Sequence, residues 1–482
     1  MTTMMIQRLT VLAAAMVLAG CSFAPKYERP VAPIAGDWPA LGLATAGPTP
    51  AGQAASALEW QTFFSDPQLR KLIDVSLTNN RDLRIAVLNI EQTRAQFQIS
   101  RANQFPTIGA AATGLRQPNT NGNGTITSAY TAGLAMTSYE LDFFGRVASL
   151  KDAALSQYLA TEEGRKTTQI TLITAVANAY LSLLADQESL AITQQTLESR
   201  EVSLKLSQLR FDNGVSSELD LRQSESLVEA ARVSLAQLQR QRALDENALS
   251  LLLGQALSAD LAVVLPAGQG LADRPVMVDV PAGLPSDLLA LRPDIRQAEQ
   301  QLMAANANIG AARAAFFPRI SLTASAGSAS NNLSGLFDSG TYGWTLAPQL
   351  FMPLFDAGRN QAGLDVSKAT RDIAVAQYEK AIQTAFREVA DALAGRATLG
   401  VQLKAQQAQS TAEAARFKLS DLRYQNGVAS QLDLLDAQRA LFAAQQAVVQ
   451  TRLLQLQNQV TLYKTLGGGW NEASQATAAT TP

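Results

Sequence analysis

Residues 209–224 read LRFDNGVSSELDLRQS and residues 422–437 read LRYQNGVASQLDLLDA; nine of the sixteen positions are identical at an offset of 213. Asn-Gly favours positive φ and reverses a chain, so each stretch predicts two helices joined at Gly214 or Gly427. Ser217 and Ser430 then stand at the N-cap of the second helix, with Asp220 and Asp433 three residues on. Ser-x-x-Asp approximates a capping box, and its carboxylate favours the positive helix end, so both acids read as caps or as site residues. Asp436 lies beyond the first turn, where capping does not explain it, and its counterpart in the first stretch is Gln223. Leu432 shares a helix face with Asp436. An acid so placed is either a solvated surface group or a functional one.

The repetition extends outward. NRDLRIA (80–86) pairs with RPDIRQA (292–298), LDFFGR (141–146) with PLFDAGR (353–359), and ENALSLLLG (246–254) with QVTLYKTLGG (459–468). The chain reads as an internal tandem repeat over about residues 70–467, each copy giving a helix, two strands around a loop, and two long helices. The first helix is expected over roughly 67–103 or 285–315, ending at Phe105-Pro106 or Phe317-Pro318. Strands are expected at about 106–115, 128–139, 318–327 and 341–352. They alternate: Tyr342, Trp344, Leu346 and Leu350 fall on one face, Thr341, Thr345 and Gln349 on the other. Their length, about ten residues, is what a tilted strand needs to cross hydrocarbon. Pro348 counts against the last strand unless it lies at an edge or bulge. A small soluble sandwich is the alternative. Four strands cannot close a transmembrane barrel, whose smallest forms have about eight, so spanning strands require several chains per barrel. In the long helices Val449, Leu453, Leu456, Val460 and Tyr463 step as a heptad seam, as do Ile382, Phe386, Val389 and Leu393. These are packing residues.

Charged residues make up 17% and the net charge is −2, which argues against a nucleic-acid surface. There is no histidine, which removes His-based nucleophile systems and the commonest metal ligand. Arg8 and the apolar run 9–20 make residues 1–20 a signal peptide, too short to span a bilayer. The run closes on Leu18-Ala19-Gly20-Cys21, similar to the bacterial lipoprotein box, and Cys21 is the only cysteine. A covalent lipid on Cys21 is therefore expected, an anchor rather than a span, and no other cofactor or metal. Ser22 follows where known lipoproteins destined for the outer membrane lack an aspartate. No later stretch is expected to cross as a helix. The plan is 1–20 leader, 21–66 lipidated N-terminal and equatorial segment, 67–254 first repeat, 255–284 inter-repeat segment, 285–467 second repeat and 468–482 tail.

The lipobox with CSFAPKYERP (21–30), the doubled helix–strand–strand–helix plan, YQNGVASQLDLLDAQRALFAAQQ (424–446) and the closing LYKTLGGGW (462–470) resemble the TolC/OprM class of outer membrane factors. The nearest subclass is the lipoprotein exit duct of tripartite RND efflux systems. The resemblance implies a mixed α and β membrane protein: a homotrimer whose protomers give four strands each to one 12-stranded β-barrel. A long periplasmic α-helical barrel with an equatorial domain continues it. It implies a bacterial outer membrane location, lipid-anchored and projecting into the periplasm. The partners are a periplasmic adaptor (membrane fusion protein), an inner-membrane RND pump and outer membrane lipid, with no nucleic acid and no enzymatic activity. Carried over by motif, Leu432 and Asp436 form apolar and acidic gate rings, and Tyr424 tethers the inner helix pair, with Asp433 and Asp220 as further gate candidates. Copy one has Phe211 in place of Tyr424, and Ala429 stands where TolC-type chains carry a basic latch residue. The other readings are a type I protein-secretion exit and a structural coiled-coil lipoprotein.

Overall fold

The computed structural model describes residues 23–38, 55–118, 126–264, 270–271, 277–281, 288 and 291–470. Cys21, the leader 1–20 and the end of the tail, 471–482, lie outside them. Besides a single helical turn at Trp60–Phe63, the described helices are α1 (Pro67–Asn79), α2 (Arg81–Ala102), α3 (Arg146–Asp212), α4 (Glu218–Leu253), α5 (Pro293–Ala314), α6 (Arg359–Gln425) and α7 (Gln431–Thr465). Four strands accompany them: β1 (Ile108–Pro118), β2 (Ile126–Leu141), β3 (Arg319–Ser330) and β4 (Tyr342–Phe351).

The helix expected over 67–103 is broken. Asn80 sits in extended backbone between α1 and α2, its Oδ1 accepting from the Leu83 amide at 3.0 Å and its Nδ2 donating to the Leu252 carbonyl at 3.0 Å. An asparagine that offers the backbone its own acceptor restarts the helix there. One 18-residue window of α3 is apolar and long enough to cross a membrane, contrary to expectation, but 61% of it is buried inside the chain. Burial marks it as a packing helix.

The chain divides into two compact units. The first comprises residues 1–32, 88–163 and 297–381. Its sheet has the order β1-β2-β3-β4, every pair antiparallel. β2 pairs with β3 from the other half of the chain, setting Gly133 opposite Gly327. A Cβ on Gly133 would lie 2.4 Å from the Ala326 carbonyl oxygen and 2.6 Å from the Gly327 Cα, so this close approach requires glycine on both strands. The ladder slips between Met136 and Tyr139, where Ser138 has φ 53°, a bulge that adds twist. Pro348 pairs with Leu322 in β4, which has a neighbour on one side only, and an edge strand tolerates proline. Every residue of β1 and of β4 is exposed, so no second layer covers them as a sandwich requires.

In the same unit an N-terminal strap lies along α5. The Phe23 carbonyl accepts from Arg313 Nη1 at 3.1 Å, and the Pro25 carbonyl from Asn306 Nδ2 at 2.7 Å. Tyr27 Oη donates to Glu299 at 2.9 Å, and Arg29 pairs bidentately with the same carboxylate at 2.7 and 2.8 Å. A Cβ at Gly310 would stand 2.7 Å from the Ala24 nitrogen, so glycine lets the strap lie down. The Phe23 ring stacks on Phe317 at 4.6 Å.

The second unit comprises residues 33–87, 164–296 and 382–482. Its core gathers Phe63, Phe64, Leu69, Leu72, Ile73, Tyr180, Leu181 and Leu184, each less than 2% exposed. Phe63 stacks on Tyr463 at 3.9 Å, and Tyr180 Oη donates to Asp66, the N-cap of α1, at 2.7 Å. Burying each such apolar side chain contributes about 1.5–3 kcal/mol. Arg292, also buried, is satisfied by Asp294, Glu388 and the Thr465 carbonyl. Of the seam residues, Ile382, Val389, Val449, Val460 and Tyr463 are buried.

Candidate functional site

All the tip residues belong to the second unit. α3 closes with Gly214 N donating to the Phe211 carbonyl at 2.9 Å and Val215 N to Arg210 at 2.8 Å; α6 closes alike, Gly427 N to Tyr424 at 3.0 Å and Val428 N to Arg423 at 2.9 Å. This is the Schellman pattern, which places its turn residue in the left-handed region. Gly214 has φ 69° and Gly427 φ 72°, with open space where a Cβ would stand, so conformation and not crowding selects glycine. Asn213 and Asn426 each donate Nδ2 back to the carbonyl four residues earlier at 2.7 Å.

The next helices start on complete capping boxes. Ser217 Oγ accepts from Asp220 N at 3.2 Å while Asp220 Oδ2 accepts from Ser217 N at 3.2 Å. Ser430 and Asp433 repeat both distances. The structure thus uses Asp220 and Asp433 in the caps of their own helices.

Asp436 stands apart from the caps. It takes Arg416 Nη2 from α6 at 2.6 Å and Arg439 Nη2 at 3.4 Å, while Arg416 also holds Glu413 at 3.1 Å. The hydrogen bond from Arg416, ahead of the charges of Arg416 and Arg439, holds the Asp436 carboxyl below its ordinary range. Exposed pairs of this kind contribute under about 1 kcal/mol each, so they orient the carboxylate more than they stabilise the fold. Leu432, one turn before, is 53% exposed, an apolar side chain without cover in the protomer.

Tyr424 joins the two tips. Its ring lies under the Arg210 guanidinium at 4.6 Å, and its hydroxyl donates to Gln431 Oε1 at 3.3 Å. Gln431, which sequence reasoning did not single out, is the centre of the contact. It is 8% exposed, and its Nε2 lies 2.6 Å from Ser224 Oγ, 2.9 Å from Ser207 Oγ and 3.1 Å from the Asp220 carbonyl. Two amide hydrogens are thus shared among three acceptors, all on the first hairpin. At the repeat offset its counterpart is Glu218, an exposed residue paired with Arg222 at 3.2 Å. The inequality between matched positions that singled out Asp436 would have found Gln431 too. Arg416 carries the same signal, since its counterpart at that offset is Ser203.

Among the described residues no group of three or more side chains could hold a metal ion. Cys21 lies outside the described residues.

The sequence profile of the outer membrane efflux protein family matches residues 72–255 and again 284–468. The toluene efflux pump outer membrane protein TtgC of Pseudomonas putida is 48% identical over 477 residues, 97% of each chain. Outer membrane protein OprJ of Pseudomonas aeruginosa is 46% identical over 464 residues, 95% of each. Among solved structures, a membrane protein from Pseudomonas aeruginosa superposes with a TM-score of 0.84 at 46% identity, over 93% of this chain and 98% of that one. The open-state MtrE outer membrane channel of Neisseria gonorrhoeae gives 0.83 at 40% identity, with the same coverages.

Proposed function

The chain belongs to the outer membrane efflux protein family, and on that premise we propose that it is the exit duct of a tripartite efflux pump, closed at its periplasmic end by the helix tips. It is a channel and not an enzyme. Three copies form one barrel of twelve strands, continued by a helical barrel. The observation that carries this is a four-stranded sheet with two open edges and two fully exposed edge strands, which lipid does not tolerate until the edges are joined and which in water invites pairing with another chain. The matching order of elements in the two halves, and a family profile that matches twice, support one duplicated hairpin plan. A lipid on Cys21 anchors each protomer beside the barrel. An adaptor and an inner-membrane pump engage the tips and supply the energy. Relatives carry names of toluene, solvent and antibiotic pumps, and small organic toxicants are accordingly the cargo class for this duct.

Exposed Leu432 and Asp436 occupy one face of α7 and form the apolar and acidic rings of the closed gate. Gln431 and Tyr424 hold that hairpin against its neighbour. Opening shifts the population away from this packed state. Conductance of the purified protein in planar bilayers tests both levels. Wild type should show a low closed-state conductance that Asp436→Ala raises several-fold. Absence of channels from either protein would overturn the duct; channels with identical conductance would overturn the ring.

A further inference from the structure

Arg200, on α3, is a buried cation with no counter-charge among the described residues. It is 5% exposed, and among the described residues no carboxylate pairs with it. Its Nη1 donates to the Leu227 carbonyl at 2.9 Å, its guanidinium lies 5.4 Å from the Phe442 ring centre, and its Nε has no acceptor. Burial and the nearby charge of Arg439 both disfavour its protonated form, so the surroundings are already positive. Arg439 gives no relief, since its carboxylate, Asp436, is shared with Arg416. Guanidiniums stay protonated in proteins, and a buried one left unpaired costs several kcal/mol.

Beside this side chain is a hollow of about 130 Å³, lined by Thr196, Ser199, Gln438 and Gln445 together with the Phe417 and Phe442 rings. Gln438 Oε1, also buried, has no donor, while its Nε2 donates to Ser203 Oγ at 3.4 Å; with the amide turned, the Ser203 hydroxyl can donate to Oε1 and the N–H faces the hollow. The hollow has room for several waters, yet it falls far short of the 300–1,000 Å³ or so that organic ligands occupy. A single uncompensated positive charge calls for a single negative one; a divalent anion would leave the site with the opposite excess.

We propose that Arg200 and this hollow form a binding site for one small monovalent inorganic anion of the halide class. The anion accepts from Arg200 Nε and from hydroxyl and amide donors of α3 and α7, and so ties the first hairpin to the second. The proposal is independent of the export function, since it rests on an unpaired cation and the space beside it.

Bromide is the probe. Crystals of the full-length trimer soaked in sodium bromide should give an anomalous peak within about 3.5 Å of the Arg200 guanidinium, absent from Arg200→Met. In solution the trimer should melt about 2 °C higher in sodium bromide or chloride than in sodium gluconate at equal ionic strength. That difference should vanish in Arg200→Met and persist in Arg200→Lys, which keeps the charge and guards against a fold defect. Bromide peaks elsewhere but none at Arg200 would mean an adventitious ion only, or a carboxylate of the partner subunit in its place, and either overturns the site. So would a halide response unchanged in Arg200→Met.

Discussion

Gln431 and Glu218 differ by one amide nitrogen for one oxygen, yet the first is buried between hairpins and the second is solvated. Gln431→Glu keeps the shape but removes the donors facing Ser224, Ser207 and the Asp220 carbonyl, at a cost of about 1–3 kcal/mol and more while ionised. Closed-state conductance in bilayers should therefore rise at pH 7.5 and fall back at pH 5, where a protonated carboxyl again donates one bond. Asp186 offers a second titration. Burial first, then its hydrogen bond with Asp245 and the charge of that group, push the Asp186 carboxyl up to about 7, against a smaller pull from Arg242. Its Oδ2 has no donor in reach, a need met when one of the two carboxyls is protonated. Between about pH 4, the ordinary carboxylate range, and 7 the folded chain holds a proton that the unfolded chain has released. Stability thus falls as pH rises through that window, and the loss is complete above it. Asp186→Asn should melt higher than wild type at pH 8 and equally at pH 4.

The helix tips were legible from sequence because six or seven consecutive residues carry them. Gly214, Ser217, Gly427 and Ser430 each act on backbone within a few positions. The contacts of Gln431 and the pairing of Arg416 with Asp436 were not legible, since partners 207 and 20 residues distant meet only after the hairpins pack. The break at Asn80 was hidden for a different reason: the apolar spacing runs on unbroken, and the side chain that caps the new helix is itself held by the Leu252 carbonyl of α4. Capping predicts its own test. Ser430→Ala and Ser217→Ala should each cost about 1 kcal/mol, read as faster amide exchange over the first turn of α7 or α4 only. Gly427→Ala, forced to hold φ 72°, should cost a similar amount or more.

At the scale of the whole molecule the sheet sets the demand for partners. Leu346 belongs to the apolar face of β4 and Thr345 to the other. With the apolar face in lipid, Leu346→Arg should cost about 2–4 kcal/mol per protomer near the midplane and deplete the trimer band on semi-native gels, whereas Thr345→Arg should leave it. That the chain carries four strands was readable from sequence; which of them pair between the two halves was not, because β2 with β3 is a contact between residues about 190 positions apart. The strap along α5 carries a consequence for synthesis. Residues 23–29 are made early, yet the side chains that seat them lie 270 to 290 positions later. At roughly 5–20 residues per second, the ribosome reaches those partners only after tens of seconds. The strap therefore lacks its seat through most of translation and is fastened only when the second half arrives.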